Sequence, residues 1–211
     1  MEVGMEQHRI IGEPVGVELA FKGGSREIKD TMPVICRDKD YVIQYIGIWK
    51  IMFDRVISMN AKIVLEFGTR EGYSTRLFSK ALSLTGGRIT TVDINPPKEP
   101  FTEENIMTIT MPVEEFSGFY CDILYIDDWH NGFHLYYELN RFAKLAKVVM
   151  IHDVSLDNEL MDAIREWCRH NMVIYTIYPM NGCGLAVLEI ERSGAFYANK
   201  NEATSEQGGT K

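Results

Sequence analysis

The sequence has no C-x-x-C pair, no run of lysines and arginines, no G-x-G-x-x-G, and no apolar stretch long enough to span a bilayer. Each absence removes a class of function. The four cysteines, Cys36, Cys121, Cys168 and Cys183, are scattered, so neither a zinc ribbon nor a paired redox site is expected. Two of them fall inside apolar patterns, where cysteine acts as a small buried hydrophobe, and all four are expected to be reduced thiols in a cytoplasmic protein. A formal charge of −8 leaves no basic face for phosphates, which argues against a nucleic-acid binder. The N-terminus, MEVGMEQHR, lacks the cationic-then-apolar design of a signal peptide, and no membrane association is expected.

The 211 residues present fit one domain with a substantial core. The most informative stretch is KIVLEFGTREGYS, Lys62 to Ser74. It reads as a buried strand, an acid where the strand ends (Glu66), a tight loop bearing Gly68 and Gly72, and a helix from Tyr73. Such a strand–loop–helix brings backbone N–H groups close to a ligand. Glu66 departs from a phosphate site, because a carboxylate repels phosphate and suits a cation such as an amino group or a sulfonium. The missing glycine triplet also removes the seat of a dinucleotide's pyrophosphate.

Along the chain, residues 1–38 form an arm, a lid or an oligomer contact, and nothing local chooses between these. Asp38 and Asp40 offer N-caps for a helix over 41–59. That helix is apolar on almost every side, which predicts burial on more than one face and a possible homodimer. Strands are expected at 62–67, 88–93, 106–109, 121–127, 148–153, 172–178 and 185–190. Helices are expected at 73–84, 133–144 and 157–170, with Gly86-Gly87 as a left-handed C-cap. This alternation predicts an α/β fold: a doubly wound, mostly parallel seven-stranded sheet. The short turn PMNGCG makes the last two strands an antiparallel hairpin. The domain is expected to run over 39–192, followed by a disordered tail, 193–211.

In open α/β sheets, ligands bind beyond the carboxyl ends of the strands. Those ends carry Glu66, Asp93, Asp127 and His152-Asp153. Each acid alone could merely cap the next loop, but together they predict one crevice. Asp93, closing the second strand, is expected to bind ribose hydroxyls. His8 and His170 carry no expected role, and His134, in a first helical turn, reads as structural with a catalytic role in reserve. Trp129 and Tyr73 would line the pocket or belong to the core.

The E-x-G-x-x-x-G-x-S pattern with Asp93 resembles the first motif of the class I S-adenosylmethionine-dependent methyltransferases, whose sheet also closes with an antiparallel hairpin. The stretch YIDDWHNGFHLYYELNRFAKLAKVVMIHDV is similar to that of the catechol O-methyltransferase, cephalosporin hydroxylase-like and macrolide-sugar O-methyltransferase group. The resemblance covers roughly residues 41–190. It implies O-methylation of a small hydroxylated molecule, with Mg or Mn holding the substrate oxygens. It places Glu66, Gly68, Thr69, Gly72, Tyr73 and Ser74 at the methionine end of S-adenosylmethionine, Asp93 and Ile94 at the ribose, and Val113 and Glu114 beside the adenine. Asp127 falls at a position shared by cofactor, metal and catalysis. Asp127, His152 and Asp153 match the metal ligands, and His130 matches the general base.

One departure matters: His152 stands where an all-oxygen site carries a carboxylate. Imidazole suits manganese, iron or zinc better than magnesium, so either the metal is softer or His152 points elsewhere. Two other readings compete. A nicotinamide-dependent oxidoreductase shares Asp93 but lacks the glycine triplet, and a non-catalytic relative would keep the fold as a binding module.

Overall fold

The computed structural model describes residues 9–10, 39–155, 158–179 and 183–190, with side chains from residue 47 onward. The arm expected over 1–38 (residues 9–10 apart), with His8, Cys36 and Asp38, and the tail 193–211 lie outside the described residues.

The elements follow the order β1 (Arg9–Ile10), α1 (Lys39–Met59), β2 (Ile63–Phe67), α2 (Tyr73–Thr85), β3 (Arg88–Asp93), β4 (Ile106–Thr110), β5 (Cys121–Ile126), α3 (Gly132–Phe142), β6 (Ala146–His152), α4 (Asn158–Asn171), β7 (Ile174–Tyr178) and β8 (Leu185–Glu189). They build one sheet in the order β1-β7-β8-β6-β5-β2-β3-β4. The seven expected strands are β2 to β8. The eighth, β1, is a two-residue strand parallel to β7, too short to leave a periodic pattern. Strand β8 runs antiparallel to both β6 and β7, so the closing hairpin inserts beside β6.

Two apolar layers cover the sheet. Alternate residues of the buried strands point to opposite faces. Leu65 and Phe67 of β2, Leu124 and Ile126 of β5, and Val149 and Ile151 of β6 face Leu135, Leu139 and Phe142 of α3 and Leu160, Ile164 and Trp167 of α4. Their neighbours Val64, Ile123, Tyr125, Val148 and Met150 face Ile48, Met52 and Val56 of α1 and Leu77, Phe78 and Leu82 of α2. Phe67 stacks edge-on to Phe142 with ring centroids 4.9 Å apart, locking β2 to α3.

Helix α1 differs from expectation in two ways. Asp40 lies inside the helix rather than at its cap. In its described half, Ile48, Trp49, Met52, Phe53 and Val56 are buried while Asp54, Ile57 and Ser58 are exposed, so this half has one buried face. Gly86 caps α2 as expected, at φ 73°, with its N–H bonded to the Leu82 carbonyl. Cys121, Cys168 and Cys183 are buried free thiols. Among the described residues, no helix is long and apolar enough to cross a membrane.

The order places β2 between β3 and β5. The chain leaves β2 to build one half of the sheet outward through β3 and β4, then returns to start the other half at β5. The carboxyl ends of β2 and β5 therefore flank the point where the winding reverses, the usual ligand crevice of such sheets.

A candidate cofactor cavity above the acidic strand ends

A cavity of about 660 Å³ opens at this crevice, within the range of small-molecule sites. Its lining includes Gly68, Asp93, Ile94, Val113, Glu114 and Asp127 from the expected set. It adds Arg70, Val92, Asn95, Pro96 and Lys98, which sequence reasoning missed, together with Asp128, Trp129 and His134. Arg70 was within reach, because it stands between the two loop glycines. Asn95, Pro96 and Lys98 follow Asp93 in the irregular connection that the Pro-Pro pair already marked. Trp129 is 68% exposed and belongs to the cavity rather than the core. Tyr73 packs against the core cluster of α1 and α2 instead.

The loop after β2 is shaped by backbone geometry. Gly68 has φ +89° and Gly72 φ +76°, conformations that favour glycine. The Gly68 N–H bonds to the Val92 carbonyl at 2.9 Å, and the Asp127 N–H to the Phe67 carbonyl at 2.9 Å. Loop, β3 and β5 are thus stitched together at one point. Asp93 accepts the N–H groups of Thr69 (2.8 Å) and Arg70 (3.2 Å) on Oδ2 and that of Asn95 (2.8 Å) on Oδ1. Its carboxylate therefore also holds the loop, which the ribose expectation did not foresee. The Thr69 hydroxyl turns down to Thr91 Oγ1 at 2.6 Å and is buried.

Glu66 corrects the expectation most sharply. It is not at the mouth of the loop but fully buried, on the α2 face of β2. Ser74 Oγ donates to one carboxylate oxygen at 2.6 Å and Thr75 Oγ1 to the other at 2.5 Å. Glu66 and Ser74 therefore fasten the start of α2 to the sheet beneath the loop. The negative lining comes instead from Asp93, Glu114, Asp127 and Asp128, against Arg70 and Lys98. Lys98 is itself paired with Glu71 at 2.8 Å, and Arg70 with Glu71 at 3.2 Å. A cationic ligand remains electrostatically favoured, for a different reason than expected.

Burial raises the Glu66 pKa to about 7, against the opposing hydrogen bonds of Ser74 and Thr75. The folded protein thus binds this proton more tightly than the unfolded chain. This group's contribution to stability is greatest at low pH and falls as pH rises through about 7. Glu66→Gln removes the titration. Denaturant unfolding at pH 5 and pH 8 is expected to show wild type losing about 2 kcal/mol relative to this variant over that interval. Stability curves that stay parallel would contradict it.

At the ends of β5 and β6, four expected residues meet. His152 is buried, and its Nδ1 lies 3.2 Å from Asp127 Oδ1 and 3.3 Å from Asp153 Oδ1. His130 Nε2 lies 3.1 Å from Asp153 Oδ2 and 3.8 Å from Asp127 Oδ1. Tyr125 donates its hydroxyl to Asp127 Oδ2 at 3.2 Å. Asp153 sits at φ +56°, a strained left-handed conformation that turns its carboxylate back over His152. The described geometry groups Asp127, His130 and Asp153, with ligand atoms within 4.8 Å of one another, while His152 also stands with Asp153 and Cys183. His152 thus stands against both carboxylates, its Nδ1 within 3.3 Å of each.

The electrostatics follow. Burial alone would raise Asp127 and Asp153, but His130 and His152 outweigh it and hold both below the usual carboxylate range. The carboxylates of Asp127 and Asp153 raise His130 to about 9. The resemblance implies a general base there, which must be free of its proton. The paired carboxylates keep its proton on instead.

No protein-family model matches the chain, and no curated protein matches it in sequence. Solved structures do match in three dimensions. Cofactor-bound Rv0187 from MTB is 15% identical with a TM-score of 0.54, covering 86% of this chain and 92% of that one. The methyltransferase PaMTH1 of Podospora anserina, bound to SAH, is 15% identical with a TM-score of 0.52, covering 76% and 80%. An O-methyltransferase from Bacillus cereus, in complex with SAH, is 16% identical with a TM-score of 0.50, covering 85% and 92%. The chain has the class I methyltransferase fold. The reversal of winding at β2 places the cavity, and the antiparallel β8 inserted between β6 and β7 completes the sheet.

Proposed function

We propose that this chain is an S-adenosylmethionine-dependent methyltransferase acting on a hydroxyl group of a small molecule. The observation that carries this reading is the cavity at the switch point of a class I methyltransferase sheet, with Gly68, Asp93 and Asp127 in its lining. The SAH-bound structures of similar fold support it.

The loop from Gly68 to Gly72, its Gly68, Thr69, Arg70 and Gly72 N–H groups already taken by Val92, Asp93 and Thr69, would pack against the methionine end, with Glu66 and Ser74 holding that loop from beneath. Asp93 and Ile94 would meet the ribose, and Val113 and Glu114 the adenine. Ile94 and Trp129, both largely exposed apolar side chains on the cavity wall, offer faces for a planar ring. Bound S-adenosylmethionine would supply a methyl on a sulfonium, displaced in line by the acceptor oxygen, the carbon–sulfur electron pair passing to sulfur.

The chain's own contribution is orientation and proton transfer. Asp127 and Asp153 fit a divalent cation: their oxygens converge with His130 Nε2 within 4.8 Å, and the His152 imidazole stands beside them. Such an ion, manganese before magnesium, would lower the pKa of a coordinated hydroxyl. Were those carboxylates engaged by such an ion, His130 Nε2 would be relieved of the charges that hold its proton and would be placed to take that of the substrate hydroxyl. His152 keeps both carboxylates aimed upward.

A second reading draws on one observation: the Asp127, Asp153, His130 and His152 charges already offset one another. A cofactor-binding module without chemistry would need nothing more. Isothermal calorimetry with S-adenosylhomocysteine, followed by transfer of labelled methyl to a panel of small phenols and sugars with vicinal hydroxyls, separates the two. Binding with transfer supports the enzyme, and binding without transfer to any acceptor favours the module. Absence of binding by a folded protein would sink both.

A further inference from the structure

A second cluster lies on the other side of the β5 exit. Asp127 turns toward β6, whereas its neighbour Asp128 turns toward α3, where His134 and Glu138 stand one helical turn apart. His134 Nε2 lies 3.2 Å from Asp128 Oδ2 and 3.6 Å from Glu138 Oε1. Its other ring nitrogen, Nδ1, lies 3.5 Å from Glu114 Oε1. Asn131 fixes the start of α3 by accepting the N–H groups of Phe133 and His134 on its side chain, so the imidazole is held in place by its own helix cap.

Glu138 is the telling member. It is completely buried, and neither carboxylate oxygen has a hydrogen-bond partner; Asp128 Oδ1 is likewise buried without one. Leaving such groups unsatisfied is costly, yet here the atoms converge. The ligand atoms of Asp128, His134 and Glu138 lie within 4.8 Å of one another. A carboxylate at the outer nitrogen of a histidine whose inner nitrogen faces two more carboxylates is the arrangement that orients a metal-binding imidazole.

We propose that Asp128, His134 and Glu138 form a divalent-cation site of the imidazole-accepting kind, for manganese, cobalt or zinc, distinct from the Asp127–Asp153 pair, with Glu114 orienting the imidazole. Two carboxylates and one imidazole leave room for water or a further oxygen ligand, and they suit these ions better than magnesium. Asp128 and His134 also line the large cavity, so the ion would stiffen its α3 wall without needing the cofactor. The inference stands on this geometry and is independent of the methyltransferase reading.

The test is a count of bound ions on the full chain, using Mn²⁺ by electron paramagnetic resonance and Co²⁺ by absorption. Glu138→Gln is nearly isosteric, and His134→Gln provides a second variant at a less buried position, with near-ultraviolet circular dichroism reporting folding. Wild type is expected to bind at least one ion whose equivalent disappears in both variants and persists in Asp127→Asn. Chelation is expected to lower the thermal midpoint of wild type more than that of either variant. No ion bound by wild type, or an equivalent number bound by wild type and folded Glu138→Gln and His134→Gln, would overturn the proposal. An equivalent lost in Asp127→Asn alone would assign the binding to the other pair and overturn it as well.

Discussion

Gly68→Ala is expected to abolish S-adenosylhomocysteine binding and to lower the thermal midpoint by on the order of 10 °C. A Cβ at this position would lie 2.2 Å from the Asp127 carbonyl oxygen, 2.6 Å from its carbon and 2.9 Å from the Asp128 Cα. All three are backbone atoms, so no side chain can swing aside. The loop would have to lift from the end of β5, breaking the contact of Gly68 with Val92 and that of Asp127 with Phe67. The residue also sits at φ +89°, which adds its own penalty for any side chain. Together these cost about 2–5 kcal/mol, the sum of a left-handed residue and an overpacked contact. Gly86→Ala is the natural control. Gly86 has φ +73° but meets nothing within 4 Å, so it should lose only about 1–2 kcal/mol and leave ligand binding intact. If the two variants behave alike, close approach of loop and strand is not what Gly68 supplies.

The second large effect is expected at Asp127. Asp127→Asn should reduce methyl transfer by about 100-fold or more while changing S-adenosylhomocysteine affinity by less than about tenfold. The asymmetry follows from its partners. Asp127 receives the Tyr125 hydroxyl and His152 Nδ1 and stands near His130, so it organises the proton-accepting side of the cavity. An asparagine presents an N–H₂ group to one of these donors, leaves His152 braced by Asp153 alone, and removes a charge from the candidate cation pair. Manganese titration gives a readout that needs no acceptor: the ion held by Asp127 and Asp153 should be lost. Transfer within a few-fold of wild type would remove Asp127 from the mechanism. Equal losses of transfer and of S-adenosylhomocysteine binding would make it a cofactor residue instead.

How much of this was legible beforehand depends on the range of the interaction. The loop from Gly68 to Gly72 and the helix that follows it could be read because glycine placement and apolar periodicity are local. The antiparallel hairpin was visible in a short Pro/Gly turn, and the strand-end acids in a simple alternation of strand and helix. These determined the sheet, its winding and the edge on which a ligand would sit.

Partners are another matter. Which way Glu66 faces depends on the parity of β2 against two cores, and that parity buries it against Ser74 and Thr75 rather than a ligand. Asp93 holds loop amides from a different strand. The high pKa of His130 comes from Asp127 and from Asp153, the latter brought beside it by the return of α3 to β6, and Glu138 became conspicuous only once its burial showed no partner for its oxygens. Spacing along a chain determines element type and order, because helix and strand periods are short. Electrostatic roles are settled by distances of about 3 to 4 Å between residues far apart in sequence, and only the tertiary structure decided those.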